Sequence, residues 1–282
     1  MSFLKCLNQF IALFIDTFKM FGRGKIWLIL LLYFLLNWLL LYAHYDFLSP
    51  VFYGLISAWT RFVSESNAVV FSHYPGHFLL LPHYFGLAKF GLGLIFEGLV
   101  LGIIAVYFRD SFLGVKGPDR RSARSIAASW IYLGMAWLCI NLLTMAVTMY
   151  FPDWLRFLHD DSPRRLLAVE FVIMPGTLAL ILALFYFAIP VIAISRSNIL
   201  SGIAASLRVF ARRPFTCFLL AACILAGPYL MSALAGRSGQ IIDKFRPEMV
   251  YWMLLAGLVV EMVANFFWMG TAVRFLLEDE IE

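Results

Sequence analysis

Apolar residues in this chain neither alternate nor recur at the helical period over most of its length; they run on in long blocks. Six blocks stand out: Ile26 to Tyr42, Phe85 to Phe108, Trp130 to Tyr150, Leu166 to Ile194, Phe215 to Leu234 and Val250 to Val273. Each is close to the ~20 residues that carry a helix across ~30 Å of hydrocarbon. The pattern predicts six transmembrane helices. An outer-membrane barrel is excluded, because its strands would alternate in polarity over about ten residues and these blocks are apolar all round.

The segments between the blocks carry a second pattern. In residues 1–24, Leu4, Leu7, Ile11, Phe14, Phe18 and Phe21 fall on one helical face and Lys5, Asn8, Gln9, Asp16, Lys19 and Arg23 on the other, which predicts a helix lying at the membrane interface. The loop before the fifth block repeats this, with Ile199, Ile203, Leu207 and Phe210 opposite Ser201, Ala205, Arg208 and Arg212, and Asn198 placed to cap the helix. The loop before the third block, from Gly117 onward, is a weaker copy without a clear break before Trp130. Ile126-Ala127-Ala128-Ser129 returns as Ile203-Ala204-Ala205-Ser206, each ahead of an odd-numbered span. The expectation is a single integral membrane domain over residues 1–282: all-α and polytopic, with six transmembrane helices in three pseudo-repeated hairpins and amphipathic interfacial helices on the cytosolic side. Residues 43–84 form its large outer loop.

Composition agrees: 62% of the residues are hydrophobic and 14% charged, which leaves no room for a separate soluble domain. Basic residues set the orientation. Fourteen Lys and Arg flank the spans on the side of the amino terminus and seven on the other, with Lys89 alone inside a span, so both termini are expected in the cytoplasm of a bacterial inner membrane. The net charge of +5 is then a matter of topology and anionic headgroups, not of nucleic acid. The first twenty residues lack a small-residue cleavage site, so no cleavable signal peptide is expected. The four cysteines show no CxxC and no outer-loop pair that would form a disulfide framework.

The stretch from Pro190-Val191-Ile192 through Asn198-Ile199-Leu200-Ser201-Gly202-Ile203-Ala204-Ala205-Ser206 to Arg212-Arg213-Pro214-Phe215 resembles the membrane domain attached to some bacterial glycerophosphodiester phosphodiesterases and its stand-alone six-helix relatives. The resemblance covers about 25 residues and no catalytic signature. It implies an inner-membrane six-helix bundle whose role is mainly anchoring, since the catalysis of those enzymes belongs to a soluble barrel.

Chemistry at membrane depth is concentrated in a few residues. Glu97 lies twelve residues before Arg109 and Glu261 thirteen before Arg274, roughly 18 Å from the cytosolic charge and near the bilayer centre. Asn37 and Asn141 fall at the same depth, and Asn265 one turn from Glu261, which predicts a shared polar layer. With Lys89 expected near the outer surface, the carboxylates are expected to be neutral and to cross-link helices by hydrogen bonds; a proton- or ion-coupled pathway is the sharper reading. Gly98 and Gly102 predict close helix packing, and Pro175-Gly176 and Pro190 predict a broken fourth span. Glu170 is expected to pair with Arg164 or Arg165.

The outer loop is aromatic, with Phe52, Tyr53, Trp59, Phe62, Phe71, Tyr74 and Tyr84, and holds His73, His77 and His83; His159 lies in the next outer loop. These four form a possible outer-face site, but Pro75-Gly76 separates His73 from His77, and no metal or other cofactor is expected. No Ser, Cys or paired-carboxylate constellation accompanies them, so no enzyme is expected. The acidic residues Glu278, Asp279, Glu280 and Glu282 read as a solvated end or a handle for a basic partner. The first functional expectation is a non-catalytic anchoring or scaffold subunit of a membrane or envelope complex, with membrane lipids and other subunits as partners. The alternative is a small transporter or lipid-handling protein that uses the mid-membrane carboxylates.

Overall fold

The computed structural model describes residues 3–115, 126, 128–154, 164 and 168–279. The weaker basic copy at 116–125, the outer-face candidate His159 and the terminal acids Glu280 and Glu282 lie outside the described residues. The described residues form helices and connectors, with no strand among them. In order these are α1 (Phe3–Lys19), α2 (Gly24–Tyr45), α3 (Pro50–Val63), α4 (Glu65–Phe71), α5 (Gly76–Phe112), α6 (Trp130–Trp154), a π turn (Val169–Ile173) leading into α7 (Met174–Phe185), α8 (Ala188–Ser195), α9 (Ile199–Arg212), α10 (Pro214–Ala235), α11 (Ser238–Lys244) and α12 (Met249–Asp279). Six stretches are long and apolar enough to cross a membrane: α2, α5, residues 130–151 of α6, the composite Val169–Ser195, α10 and α12. The chain is an all-α, multi-pass membrane protein.

Two boundaries differ from the sequence reading. α5 begins at Gly76 instead of Phe85, because Pro82 sits inside the helix without ending it. The segment expected as the outer loop is itself helical: α3 and α4 fill most of it, and Ser64 joins them by accepting a hydrogen bond from the Asn67 amide at 3.4 Å. The chain divides into two compact units, the first made of Met1–Ile29, Leu94–Ala226 and Ala264–Glu282, the second of Leu30–Gly93 and Gly227–Val263.

In the first unit the fourth span breaks where backbone chemistry requires it. Pro190 has no amide hydrogen to offer the carbonyl of Tyr186, and the helix opens at Tyr186–Phe187 between α7 and α8. Side chains replace the missing bonds. The Trp268 indole donates to the Tyr186 carbonyl at 3.0 Å. Ser206 of α9 serves twice: its hydroxyl donates to the Leu184 carbonyl at 2.7 Å and accepts from the Phe187 amide at 3.1 Å. The Tyr186 hydroxyl in turn bonds Thr271 at 2.6 Å. α9 reaches this position because Gly202 faces α8 with no side chain; a Cβ there would stand 2.4 Å from Ile192. Asn198 caps α9 as expected, accepting from the Ser201 amide at 2.9 Å.

The same unit fixes the amino-terminal helix. α1 turns Cys6, Leu13 and Thr17 inward and leaves Leu4, Ile11, Ile15 and Phe18 exposed, so its apolar surface is split in two where the sequence suggested one face. Its inner side meets α12: Gly270 lies against Thr17, Phe14 stacks on Phe267 at 5.5 Å, and Arg274 donates to Asp16 at 2.9 Å. Lys19 first, and Arg274 with it, hold the Asp16 carboxyl below the usual carboxylate range against the opposing effect of its burial. α12 ends in charge pairs within the chain: Asp279 with Arg212 at 3.0 Å and Glu278 with Arg274 at 3.4 Å. These two acids are thus engaged, where the sequence suggested a solvated end.

The expected close packing at Gly98 and Gly102 is present. A Cβ on Gly98 would come within 2.5 Å of the Leu133 carbonyl oxygen of α6, and one on Gly102 within 2.7 Å of the Leu133 side chain. The second unit is held by Leu41, Phe78, Leu81, Phe85, Val250, Tyr251 and Leu258, with a neighbouring cluster of Ala43, Phe47, Ile56, Phe71 and Tyr84.

Replacing Ser206 with Ala orphans a buried amide and a buried carbonyl at once, and should lower stability by about 2 kcal/mol in denaturant titrations of the detergent-solubilised protein. Ser201→Ala, at an exposed position of the same helix, should cost well under half of that. Equal effects would mean that Ser206 does not support the break.

Candidate functional site

Lys89 is thirteen residues into α5, so at ~1.5 Å per residue it stands roughly 20 Å from the helix start at Gly76. Glu261 is twelve residues into α12, at nearly the same distance from Met249. Their side chains form an ion pair within the second unit. α5 begins nine residues earlier than its apolar run suggests, and Glu261 has a cationic partner where no ion pair was expected.

The pair is not sealed. Each side chain keeps about 25% of its surface open, and both line a cavity of about 330 Å³ shared by α5, α10 and α12. Its walls explain why space remains there. Gly86 and Gly257 place no side chain beside the charges, Pro82 leaves the Phe78 carbonyl without its helical donor, and Ser232 contributes a hydroxyl. The volume lies at the lower end of the range for small-molecule sites. A Cβ on Gly227 would stand 2.8 Å from Val260, so α10 and α12 approach closely one residue before Glu261.

The residues expected to share a polar layer are divided between the two units. Asn37 and Glu261 belong to the second unit, Glu97, Asn141 and Asn265 to the first. Asn37 donates to the Tyr33 carbonyl at 3.0 Å and Asn141 to the Trp137 carbonyl at 2.9 Å, each one turn back in its own helix, where cross-links between helices were expected. Glu97 and Asn265 are buried. Glu170 lies in the π turn that precedes Pro175.

His73 and His83 are exposed, while His77 packs on aromatic rings, with centroids 3.8 Å from Phe78 and 5.6 Å from Phe47. No group of three or more His, Cys, Asp or Glu that could hold a metal occurs among the described residues. The four cysteines are free. Sequence reasoning passed over His44, which is buried and donates through Nδ1 to the Leu40 carbonyl at 2.8 Å. It also missed the Lys89–Glu261 pairing, although the signal was present: a single cation inside the spans needs an acid at its own depth.

Truncating either charge strands the other in a largely apolar setting. Lys89→Met or Glu261→Met alone should lower stability by roughly 2 kcal/mol, less than for a fully buried pair because a quarter of each side chain is open. The double variant should recover most of the loss in a double-mutant cycle by denaturant titration. Strictly additive losses would show that the two groups do not interact. In comparisons with known proteins, no family model, no curated protein and no solved structure matches the chain.

Proposed function

We propose that the chain is a non-catalytic, multi-pass membrane protein that handles a small polar or amphipathic molecule, a lipid included, at the Lys89–Glu261 site. The observation that carries this reading is a charged pair at membrane depth that lines a cavity instead of being packed over. Charges within a span are costly to retain and are kept where a ligand, an ion or a partner uses them. A ligand bearing an anionic group can take the Lys89 ammonium, one bearing a cationic group can take the Glu261 carboxylate, and a proton on Glu261 releases Lys89. These exchanges couple binding to the state of the pair. The broken fourth span supports a fixed kink more than a gate, since side chains occupy the groups that the break frees.

In this proposal the protein sits in a bacterial cytoplasmic membrane with both termini cytoplasmic, as the excess of Lys and Arg on the amino-terminal side supports. α1 and α9 are its interfacial helices: each carries exposed apolar residues, Leu4, Ile11 and Phe18 in one and Leu200 and Leu207 in the other, beside exposed basic ones. They are the two clear copies of the pseudo-repeat.

A second reading, the anchoring or scaffold subunit of a membrane or envelope complex, is favoured by α3 and α4, whose outer side exposes Val51, Leu55, Phe62 and Val69 at 62–83%. The resemblance of the stretch from Pro190 to Phe215 points the same way.

Native mass spectrometry of the protein extracted from its own membrane separates the two. Wild type should carry a tightly held small-molecule or lipid adduct that Lys89→Gln/Glu261→Gln loses while keeping a folded thermal transition. Identical adducts on both proteins, or none on either, would overturn the handling proposal, and stable co-purifying subunits would then favour the scaffold.

A further inference from the structure

A second cavity, of about 710 Å³, lies within the first unit, where the connector between α1 and α2 faces the end of α5. Its lining is unlike that of the Lys89–Glu261 site. Arg23 and Lys25 come from the connector and the start of α2, Tyr107 and Ser111 from α5, and the rest of the named wall is largely glycine, at Gly22, Gly24 and Gly114. One acid lines it, Asp110, and its carboxylate is already held by both Nε and Nη2 of Arg109, at 3.0 and 2.7 Å. The nearby cations of this unit are likewise committed: Lys19 to Asp16 and Arg274 to Asp16 and Glu278. Arg23 and Lys25 make no ion pair among the described residues, so the cavity carries two uncommitted positive charges beside two hydroxyls.

The scaffold behind these charges is fixed. The Arg23 amide closes the turn after α1 by donating to the Met20 carbonyl at 2.9 Å, and the Trp27 indole ties the same connector by donating to the Phe21 carbonyl at 2.8 Å. Trp27 itself stacks on Phe266, with centroids 4.8 Å apart and planes 11° from parallel. On the opposite wall, Gly114 adopts φ +68°, a left-handed turn that ends α5 and lets the Val115 amide close on the Asp110 carbonyl at 2.9 Å. One candidate spanning helix begins here and another ends, and the ends of spanning helices meet lipid headgroups.

We propose that this cavity binds an anionic phosphate group, with Arg23 and Lys25 as its cationic ligands and the Tyr107 and Ser111 hydroxyls as donors. Arg offers a planar fork to two phosphate oxygens and Lys a mobile point charge, and the hydroxyls suit the remaining oxygens. The volume exceeds that of a phosphate alone and accommodates a headgroup whose acyl chains leave past the exposed Leu28 of α2. Either an anionic phospholipid or free phosphate presents this chemistry.

The test uses the full-length protein reconstituted in nanodiscs of phosphatidylcholine with or without phosphatidylglycerol, and in detergent with inorganic phosphate. Wild type should retain phosphatidylglycerol over phosphatidylcholine in native mass spectra, and Arg23→Gln/Lys25→Gln should weaken this retention at least about tenfold. Arg208→Gln, an exposed charge of the same unit away from the cavity, should leave it unchanged. Tyr107→Phe/Ser111→Ala removes only the hydroxyls and should weaken retention less; it serves as the readout should the double charge variant fail to fold. Thermal stabilisation of wild type by inorganic phosphate, lost in the charge variant and without lipid preference, assigns the site to free phosphate. No preference for phosphatidylglycerol together with no effect of phosphate overturns the proposal, and so does an equal loss in Arg208→Gln, which would mean diffuse surface charge.

Discussion

Lipid offers no hydrogen bonds, so every backbone group at membrane depth must find its partner inside the protein. That constraint organises this chain most visibly at Tyr186–Phe187. Pro190 opens the fourth span, and three freed groups are taken by two side chains, Ser206 and Trp268, from helices far apart in sequence. The contact fixes α9 and α12 to the same point, and α12 then carries α1 through Gly270 and Arg274. A defect in one helix thus becomes the place where the first unit is joined.

Charge at membrane depth obeys the same logic with a different result. Asn37 and Asn141 each donate to a carbonyl one turn back in their own helix, and the buried Asn37 Oδ1 has no hydrogen-bond partner among the described residues. Lys89 and Glu261 cannot be satisfied that way, because each needs an opposite charge from another helix. Their pairing answers the electrostatic demand, yet the glycines and prolines around it leave a cavity that a purely structural bridge would not require. Stability alone explains the pair, and the space beside it is what calls for a function.

Much of this was legible in the sequence. Long apolar runs identified the six spans, Gly98 and Gly102 the close approach to α6, Asn198 its cap, and Pro190 the disruption of the fourth span. What stayed hidden was long-range. The apolar run that opens at Phe85 does not mark the start of its helix, because the helix carries on through Pro82, where a proline removes only one donor and adds a local clash. Ser206 looked like one small residue of an interfacial helix, because its two partners lie about twenty positions back. The apolar positions of α1 could not be sorted into those that meet α12 and those left exposed, since helical periodicity records hydrophobicity and not what covers it.

The central claim is that Glu261 pairs with Lys89 inside the membrane-spanning region. Infrared difference spectroscopy of the reconstituted protein at neutral pH, wild type against Glu261→Gln, reads this directly. The pairing predicts that the substitution removes carboxylate stretching bands and that Lys89→Met, by withdrawing the cation, shifts those same bands. A protonated carbonyl band from Glu261 already present in wild type would contradict it.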